Sequence, residues 1–377
     1  MTQQTNQKLK SKRLESLDIL RGFILFLLVF LQPVLVALGR VADSAILNPI
    51  LYQLNHVSWE GLRFWDLIMP LFLFITGVTM PFSFSRYANL KSKREPYKRI
   101  IRRVFLLFLL GMVVQGNLLG LDPKHLYLYS NTLQAIAVGY LIASVFQLHL
   151  SGRGQIIGTI LLLLIYSIPM LVVGDFTPDG NFAEQIERIV LGRFRDGVHW
   201  LEDGTWAFSP HYHYTWIWSS LTFGVTVMLG VFAGTMIRKY KDNPKLLMRN
   251  LLVYALSLLV LGGIFSIWIP VIKTIWTSSM TLISGGLCVL FLLLFYFIID
   301  YKGFSRGFQW LKIYGMNSIF AYVVGMVISF RSIAQSLCYG LAPKLGDYYS
   351  VLITFLNYGI LFLILRLLYK HKRFFKV

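Results

Sequence analysis

The stretch HVSWEGLRFWDLIMPLFLFITG (residues 56–77) passes from a histidine, a tryptophan, an acid and an arginine to Asp66, and then into unbroken apolar sequence. A titratable ring with a carboxylate behind it, at the mouth of an apolar run, is how a buried reaction centre at the edge of a membrane span is composed. The apolar half of the stretch is one of many in the chain. Of the 377 residues 56% are hydrophobic and 14% charged, and the apolar residues fall in runs of about twenty, long enough for a helix to cross a bilayer. The fold expected is therefore an all-α polytopic membrane bundle of about ten transmembrane helices. The spans read as residues 17–39, 62–84, 98–119, 131–148, 155–173, 214–237, 251–270, 276–299, 308–330 and 348–368.

Lys8, Lys10, Lys12 and Arg13 precede the first span, which is too long for a signal-peptide core and is expected to stay as an anchor. The 86–103 loop, the 238–249 loop, the 302–312 turn and the 370–376 tail hold most of the remaining cations, which places both termini in the cytoplasm. This assigns the net charge of +19 to orientation and to contact with anionic lipids, not to nucleic acid. The run RYANLKSKREPYKRIIRR (residues 86–103) is denser than orientation requires and suits the phosphates of a cytosolic cofactor. The reading gives one transmembrane domain over residues 1–377, with a basic tail at 1–16 and an ordered, aromatic-rich outer cap at 175–213.

Cys288 and Cys338 lack metal or disulfide spacing. His199, His211 and His213 have no paired acid or cysteine at ligand spacing, so no metal is expected, and Tyr212, Tyr214, Trp216 and Trp218 read as an interfacial aromatic belt. Asp18 and Arg21, three apart in the first span, are expected to satisfy each other. Asn317 follows Gly315 deep in the ninth span, where an amide serves either as helix glue or as a donor to a carbonyl. Lys273 at the entrance of the eighth span is placed to face an anionic group. If a helix begins before His56, then His56, Glu60 and Arg63 share one stripe with Asp66 about one turn deeper, where a carboxylate fixes a histidine's tautomer for general-base work.

The motifs H-x-x-W-x-G-x-x-x-x-D-L-x-x-P-x-F-x-F-x-x-G (56–77), LDILRG (17–22), LQAIAVGYL (133–141), K-x-x-W-T-x-S (273–279) and GMNSI (315–319) together resemble the heparan-alpha-glucosaminide N-acetyltransferase family of transmembrane acyltransferases. The resemblance implies acetyl transfer from cytosolic acetyl-CoA to an amino-sugar or glycan acceptor on the outer face. It also implies a bacterial member in the inner membrane, in contact with anionic lipids, and a homodimer. The family's essential histidine falls on His56, as base for direct attack or as acyl carrier, with Asp66 orienting the ring and Asn317 polarising the acyl oxygen or holding pantetheine. Candidate cofactor-binding residues are Lys98, Arg99, Arg102, Arg103, Lys273, Trp276 and Ser279. Candidate substrate-binding residues are Trp59, Glu60, Arg63 and Gln134. Glu60 stands where relatives commonly carry Asn, and Ala135 where they carry Arg. A transporter or sugar-binding permease that uses the same cavity without acyl chemistry is the alternative.

Overall fold

The computed structural model describes residues 14–87 and 92–375. Lys8, Lys10, Lys12, Arg13 and residues 88–91 of the basic run lie outside the described residues. Helix α1 (Glu15–Phe26) passes through a π turn (Leu27–Leu31) into α2 (Gln32–Gly39). Pro33 has no N–H to donate within this span, and a widened turn absorbs the missing bond. A short α3 (Leu47–Gln53) follows, then a 3₁₀ turn (Phe64–Leu67) leading into α4 (Ile68–Phe84). Next come α5 (Arg94–Val114), α6 (Thr132–His149), α7 (Gly152–Val172) and α8 (Phe182–Leu191). Strands β1 (Val198–Trp200) and β2 (Trp206–Phe208) form an antiparallel hairpin, with His199 opposite Ala207. The remaining helices are α9 (Ser220–Lys239), α10 (Pro244–Phe265), α11 (Ser278–Phe295), α12 (Gln309–Met316), α13 (Ser318–Val327), α14 (Arg331–Cys338), α15 (Ala342–Leu345) and α16 (Tyr349–Lys370).

The chain is an all-α polytopic bundle in which, among the described residues, eight helical segments are long and apolar enough to cross a membrane. Two expected spans differ in kind. Helix α5 starts earlier than its apolar run, at Arg94, so its first turns carry the cations of REPYKRIIRR while its remainder is apolar. The ninth span is broken at Asn317, whose φ of −121° and ψ of 40° interrupt the helix between α12 and α13.

The helices alternate in direction and so define two faces. The ends of α1 and α16 that carry Glu15 and Lys370 share one face with the α4–α5, α6–α7 and α9–α10 links; it is called here the terminal face. His56, α8, the hairpin and the α10–α11 link lie at the opposite face. Two helix pairs fix the centre by close backbone approach. A Cβ added at Gly77 of α4 would sit 1.9 Å from Val227 O, and one at Gly230 of α9 would sit 2.0 Å from Phe74 O. Gly22 of α1 and Gly315 of α12 meet in the same way, 1.8 Å from Leu311 O and 1.9 Å from Asp18 O. Without a hydrophobic drive between helices in lipid, such small-residue contacts carry the dispersion energy of association.

Residues 175–213 fold over the bundle around buried ions. Arg195, fully buried, donates to both carboxylate oxygens of Glu184 at 2.5 Å, and to the carbonyls of Tyr212 and Tyr214 at 3.3 Å. Glu187 Oε2 accepts the backbone N–H groups of Trp216 and Ile217 at 3.0 and 2.9 Å. The cap thereby dictates the path of residues 212–217. Tyr212, Tyr214 and Trp216, read from the sequence as an interfacial belt, instead form a wall of an interior cavity because Arg195 and Glu187 of the cap hold their backbone inward.

Candidate active site

The segment before α4 is not helical at His56. Gly61 has a φ of +118°, Glu60 forms a β-bridge with Ile272, and Gly61 N donates to Val271 O at 2.8 Å. The α10–α11 link therefore holds this segment extended, and the expected helical stripe of His56, Glu60 and Arg63 does not form. The histidine and its carboxylate meet by another route. Asp66 is the third residue of the 3₁₀ turn, and its Oδ2 accepts the N–H of Arg63 at 3.0 Å and of Val57 at 3.3 Å. Its Oδ1 accepts the His56 Nδ1–H at 2.6 Å. This places the proton on Nδ1 and leaves Nε2 as the free base. Asp66 is fully buried whereas 43% of the His56 side chain is exposed, so the ring is supported from behind and open in front.

Lys273 reaches the same ring across 217 residues of sequence. Its Nζ is 3.3 Å from His56 Nδ1, 3.4 Å from Nε2 and 3.4 Å from the Tyr214 hydroxyl. Burial pushes its ammonium down to about 8, and the charge of Asp66 offsets part of that fall. These residues open on a cavity of 250 Å³ lined also by Gln115, Ser130, Trp216 and Tyr322, the histidine cavity.

Two further cavities continue it toward the terminal face. The central cavity, 270 Å³, is lined by Arg21, Ile75, Leu107, Met316, Ile319 and Phe375 among others. It shares three wall residues with the histidine cavity, Phe72, Thr132 and Tyr322. The Tyr322 hydroxyl accepts from Asn131 Nδ2 at 3.2 Å, and the same amide donates to Gln115 Oε1 at 3.2 Å, which fixes the position of this shared wall. A third, basic cavity of 310 Å³ opens between Arg86, Tyr87, Arg99, Arg102, Arg103 and Tyr140. Arg103 lines both the basic and the central cavity, lies 4.4 Å over the Tyr140 ring, and has a buried Nε without a partner. Guanidinium groups beside tyrosine rings suit a phosphorylated nucleotide, with the orphaned Nε calling for an anion. The central cavity, walled largely by apolar side chains such as Phe72, Ile75, Leu107, Leu133 and Ile319, suits an uncharged arm.

The structure places the other sequence candidates as follows. Trp59 Nε1 donates to Phe176 O at 2.8 Å and its ring meets His213 edge-on, tying the His56 segment to the cap. Arg63 stacks 3.9 Å over Tyr52 and donates to His56 O at 2.9 Å, so it supports the histidine backbone. Glu60 is exposed near the entrance. Six candidates take positions or partners other than those expected. Gln134 is buried and its amide is engaged by the backbone, accepting from Ser130 N and donating to Leu128 O at 2.9 and 2.7 Å. Trp276 and Ser279 are buried in internal contacts: Trp276 Nε1 donates to Thr226 Oγ1 at 3.2 Å, and Ser279 Oγ donates to Pro270 O at 2.9 Å. Lys98 is exposed and outside the basic cavity wall. Asn317 is remote from His56, and its amide is spent on the tail, donating to Arg373 O at 3.1 Å and accepting from Phe375 N at 2.9 Å. Lys273 lies at the histidine cavity and not with the arginines.

Phe72, Thr132 and Tyr322, the walls common to both cavities, escape a reading of the sequence; the LQAIAVGYL motif beginning beside Thr132 is the one local signal. Asp179, Glu184 and His213 bring ligand atoms within 4.8 Å of one another. Glu184 is already held by Arg188 at 2.8 Å and by Arg195, so the group is an ionic cluster carrying its own cations.

A multi-pass helical membrane protein with a histidine–carboxylate pair at the end of a cavity series that begins among arginines defines the class. Residues 13–185 match the family model described as heparan-alpha-glucosaminide N-acetyltransferase, catalytic. The chain is 25% identical over 364 residues to the heparan-alpha-glucosaminide N-acetyltransferase of Homo sapiens, covering 82% of this chain and 52% of that one. It is 24% identical over 374 residues to the Mus musculus protein of the same name, covering 85% and 54%. The chain spans about half the length of these curated relatives. The likeness to heparan-alpha-glucosaminide N-acetyltransferases thus covers the N-terminal part of the chain by the family model and most of it by the two relatives.

Proposed function

We propose that the protein is a membrane acyltransferase that carries an acetyl group from cytosolic acetyl-CoA to the amine of an amino sugar at the opposite face of the plasma membrane. The observation that carries this reading is the junction of the central and histidine cavities at Phe72, Thr132 and Tyr322. Through it an extended ligand anchored among arginines on the terminal face reaches His56. The basic residues of that face assign it to the cytosol by the positive-inside rule. Arg99, Arg102 and Arg103 would hold the phosphates of coenzyme A, Tyr87 and Tyr140 would flank its base, and the central cavity would take the pantetheine arm.

At the far end the free Nε2 of His56 accepts the proton of the acceptor amine as nitrogen attacks the carbonyl carbon of the thioester. The carbon–sulfur bond then breaks and the sulfur takes a proton. Asp66 holds the ring and balances the imidazolium that forms. The same Nε2 also serves an acetyl-imidazole route, in which it attacks the thioester first. The test is acetyl-CoA consumption by the purified protein against a panel of amino sugars and sugar alcohols, with His56→Ala as control. Turnover that depends on an amino sugar and vanishes in the variant is expected. Flux of a sugar into proteoliposomes without loss of acetyl-CoA would establish a permease and overturn the reading.

A further inference from the structure

The α10–α11 link is built with more fixed geometry than a connection needs. Thr277 Oγ1 donates to Pro270 O at 2.8 Å and accepts from Ile272 N at 3.1 Å, Thr281 N donates to Thr277 O at 2.8 Å, and the Glu60–Ile272 bridge pins the outer side. Trp276 adopts a φ of +53°, a backbone state that bulky residues rarely take and that survives where its surroundings enforce it. Its buried ring meets Phe223 edge-on at 4.9 Å. What this loop delivers is Lys273, three residues before the strained position.

Lys273 is buried, yet among the described residues it forms no direct ion pair. Its neighbours are the His56 ring and the Tyr214 hydroxyl, all at 3.3–3.4 Å, with Asp66 behind the ring. Because Nζ is almost equidistant from both ring nitrogens, it sits over the ring and not in its plane, where Cε1 would block it. From there its N–H groups are adjacent to Nε2, where the reacting carbonyl must lie. A buried ammonium with long contacts and no anion of its own is preorganised for negative charge that develops during reaction.

We propose that Lys273 is a catalytic residue of the transfer, donating to the acetyl carbonyl oxygen as the thioester carbon becomes tetrahedral. The inference rests on the proposed function. In the step, the amine nitrogen bonds to the carbonyl carbon, the carbonyl π pair moves to oxygen facing Nζ, and the amine proton passes to His56 Nε2. The oxygen pair then returns, the carbon–sulfur bond breaks, and the proton leaves His56 for the thiolate. Lys273 keeps its proton throughout, so its loss in base stops the reaction. His56, Asp66 and Tyr214 are the titratable groups facing it, and burial has brought its ammonium down to about 8.

The experiment is the pH dependence of kcat and KM for acetyl-CoA in full-length wild type, Lys273→Met and Lys273→Arg. Lys273→Met should lower kcat by about 10²–10³-fold, as loss of one oxyanion donor does, with KM for acetyl-CoA changed less than about threefold. Wild-type activity should fall above pH about 8, whereas Lys273→Arg should retain part of the rate and lose that alkaline limb, since guanidinium does not titrate there. Full kcat in Lys273→Met, a change confined to KM, or an alkaline limb that persists in Lys273→Arg overturns the proposal. A wild type that transfers no acetyl group overturns the proposed function and this inference with it. Transfer abolished by His56→Ala but untouched by Lys273→Met overturns this inference alone.

Discussion

Replacing Asp66 with Asn tests how the site holds its base, because the structure dictates which way the new amide must turn. Asp66 Oδ2 accepts two backbone N–H groups, from Arg63 at 3.0 Å and Val57 at 3.3 Å. Only the carbonyl oxygen of Asn can take that position, so the NH2 group falls where Oδ1 now meets His56 Nδ1 at 2.6 Å. A donor there forces Nδ1 to accept and moves the ring proton to Nε2, removing the lone pair that faces the cavity. The loss of a correctly oriented base and its counter-charge is expected to lower kcat by about 10³–10⁴-fold, with KM for acetyl-CoA little changed. The fold should survive, since both backbone bonds are kept. Lys273 loses the charge that offsets its burial, but it can shed its proton at a cost of about 1.4 kcal/mol per unit, which caps the destabilisation at about 1–2 kcal/mol. Turnover by thiol release, with thermal unfolding of the same preparation, reads both quantities. Asp66→Asn that keeps more than about a tenth of wild-type kcat would refute the tautomer argument.

Phe72→Trp should narrow the junction of the central and histidine cavities, abolishing transfer while acetyl-CoA still binds at the basic cavity, as measured by calorimetry. Arg102→Ala, in the basic cavity wall, should raise KM for acetyl-CoA about tenfold, the worth of roughly 1.4 kcal/mol of phosphate binding, and leave kcat intact; dephospho forms of the donor should lose less. Glu187, which burial holds up at about 7 against its ordinary 4.5, gives the cap a pH dependence. Because the folded state binds that proton more tightly than the unfolded chain, stability is full below about pH 4.5 and declines by about 3 kcal/mol as pH rises through 7. Glu187→Gln should flatten that decline in a thermal-unfolding series; an unchanged profile would remove Glu187 as its cause.

The membrane class was legible because apolar runs of span length leave a bilayer little alternative. His56 and Asp66 were also legible as a pair, since only nine residues of chain lie between them and return one to the other. The helical stripe expected around His56 failed because strand-like pairing with residues 271 and 272 decides that backbone, and such pairing leaves no local periodicity. Gly61 was the available hint. Asn317 kept its polar character but changed its use, because its partners lie 56 and 58 residues onward in the tail. The aromatic wall of Tyr212, Tyr214 and Trp216 was mistaken for a belt because composition alone does not distinguish a lipid interface from a cavity lining. The arginines of α5 gather around one cavity, and what only the fold supplied was the series of adjoining cavities between them and the histidine.

Transfer across the bundle is tested most directly by placing donor and acceptor on opposite sides of a membrane. Protein reconstituted in one orientation, with membrane-impermeant acetyl-CoA on the terminal-face side and an amino sugar confined to the other, should form N-acetylated sugar on the acceptor side. The thiol should be released on the donor side, and neither product should form with His56→Ala. Acetylation that requires donor and acceptor on the same side, or that persists without His56, would contradict it.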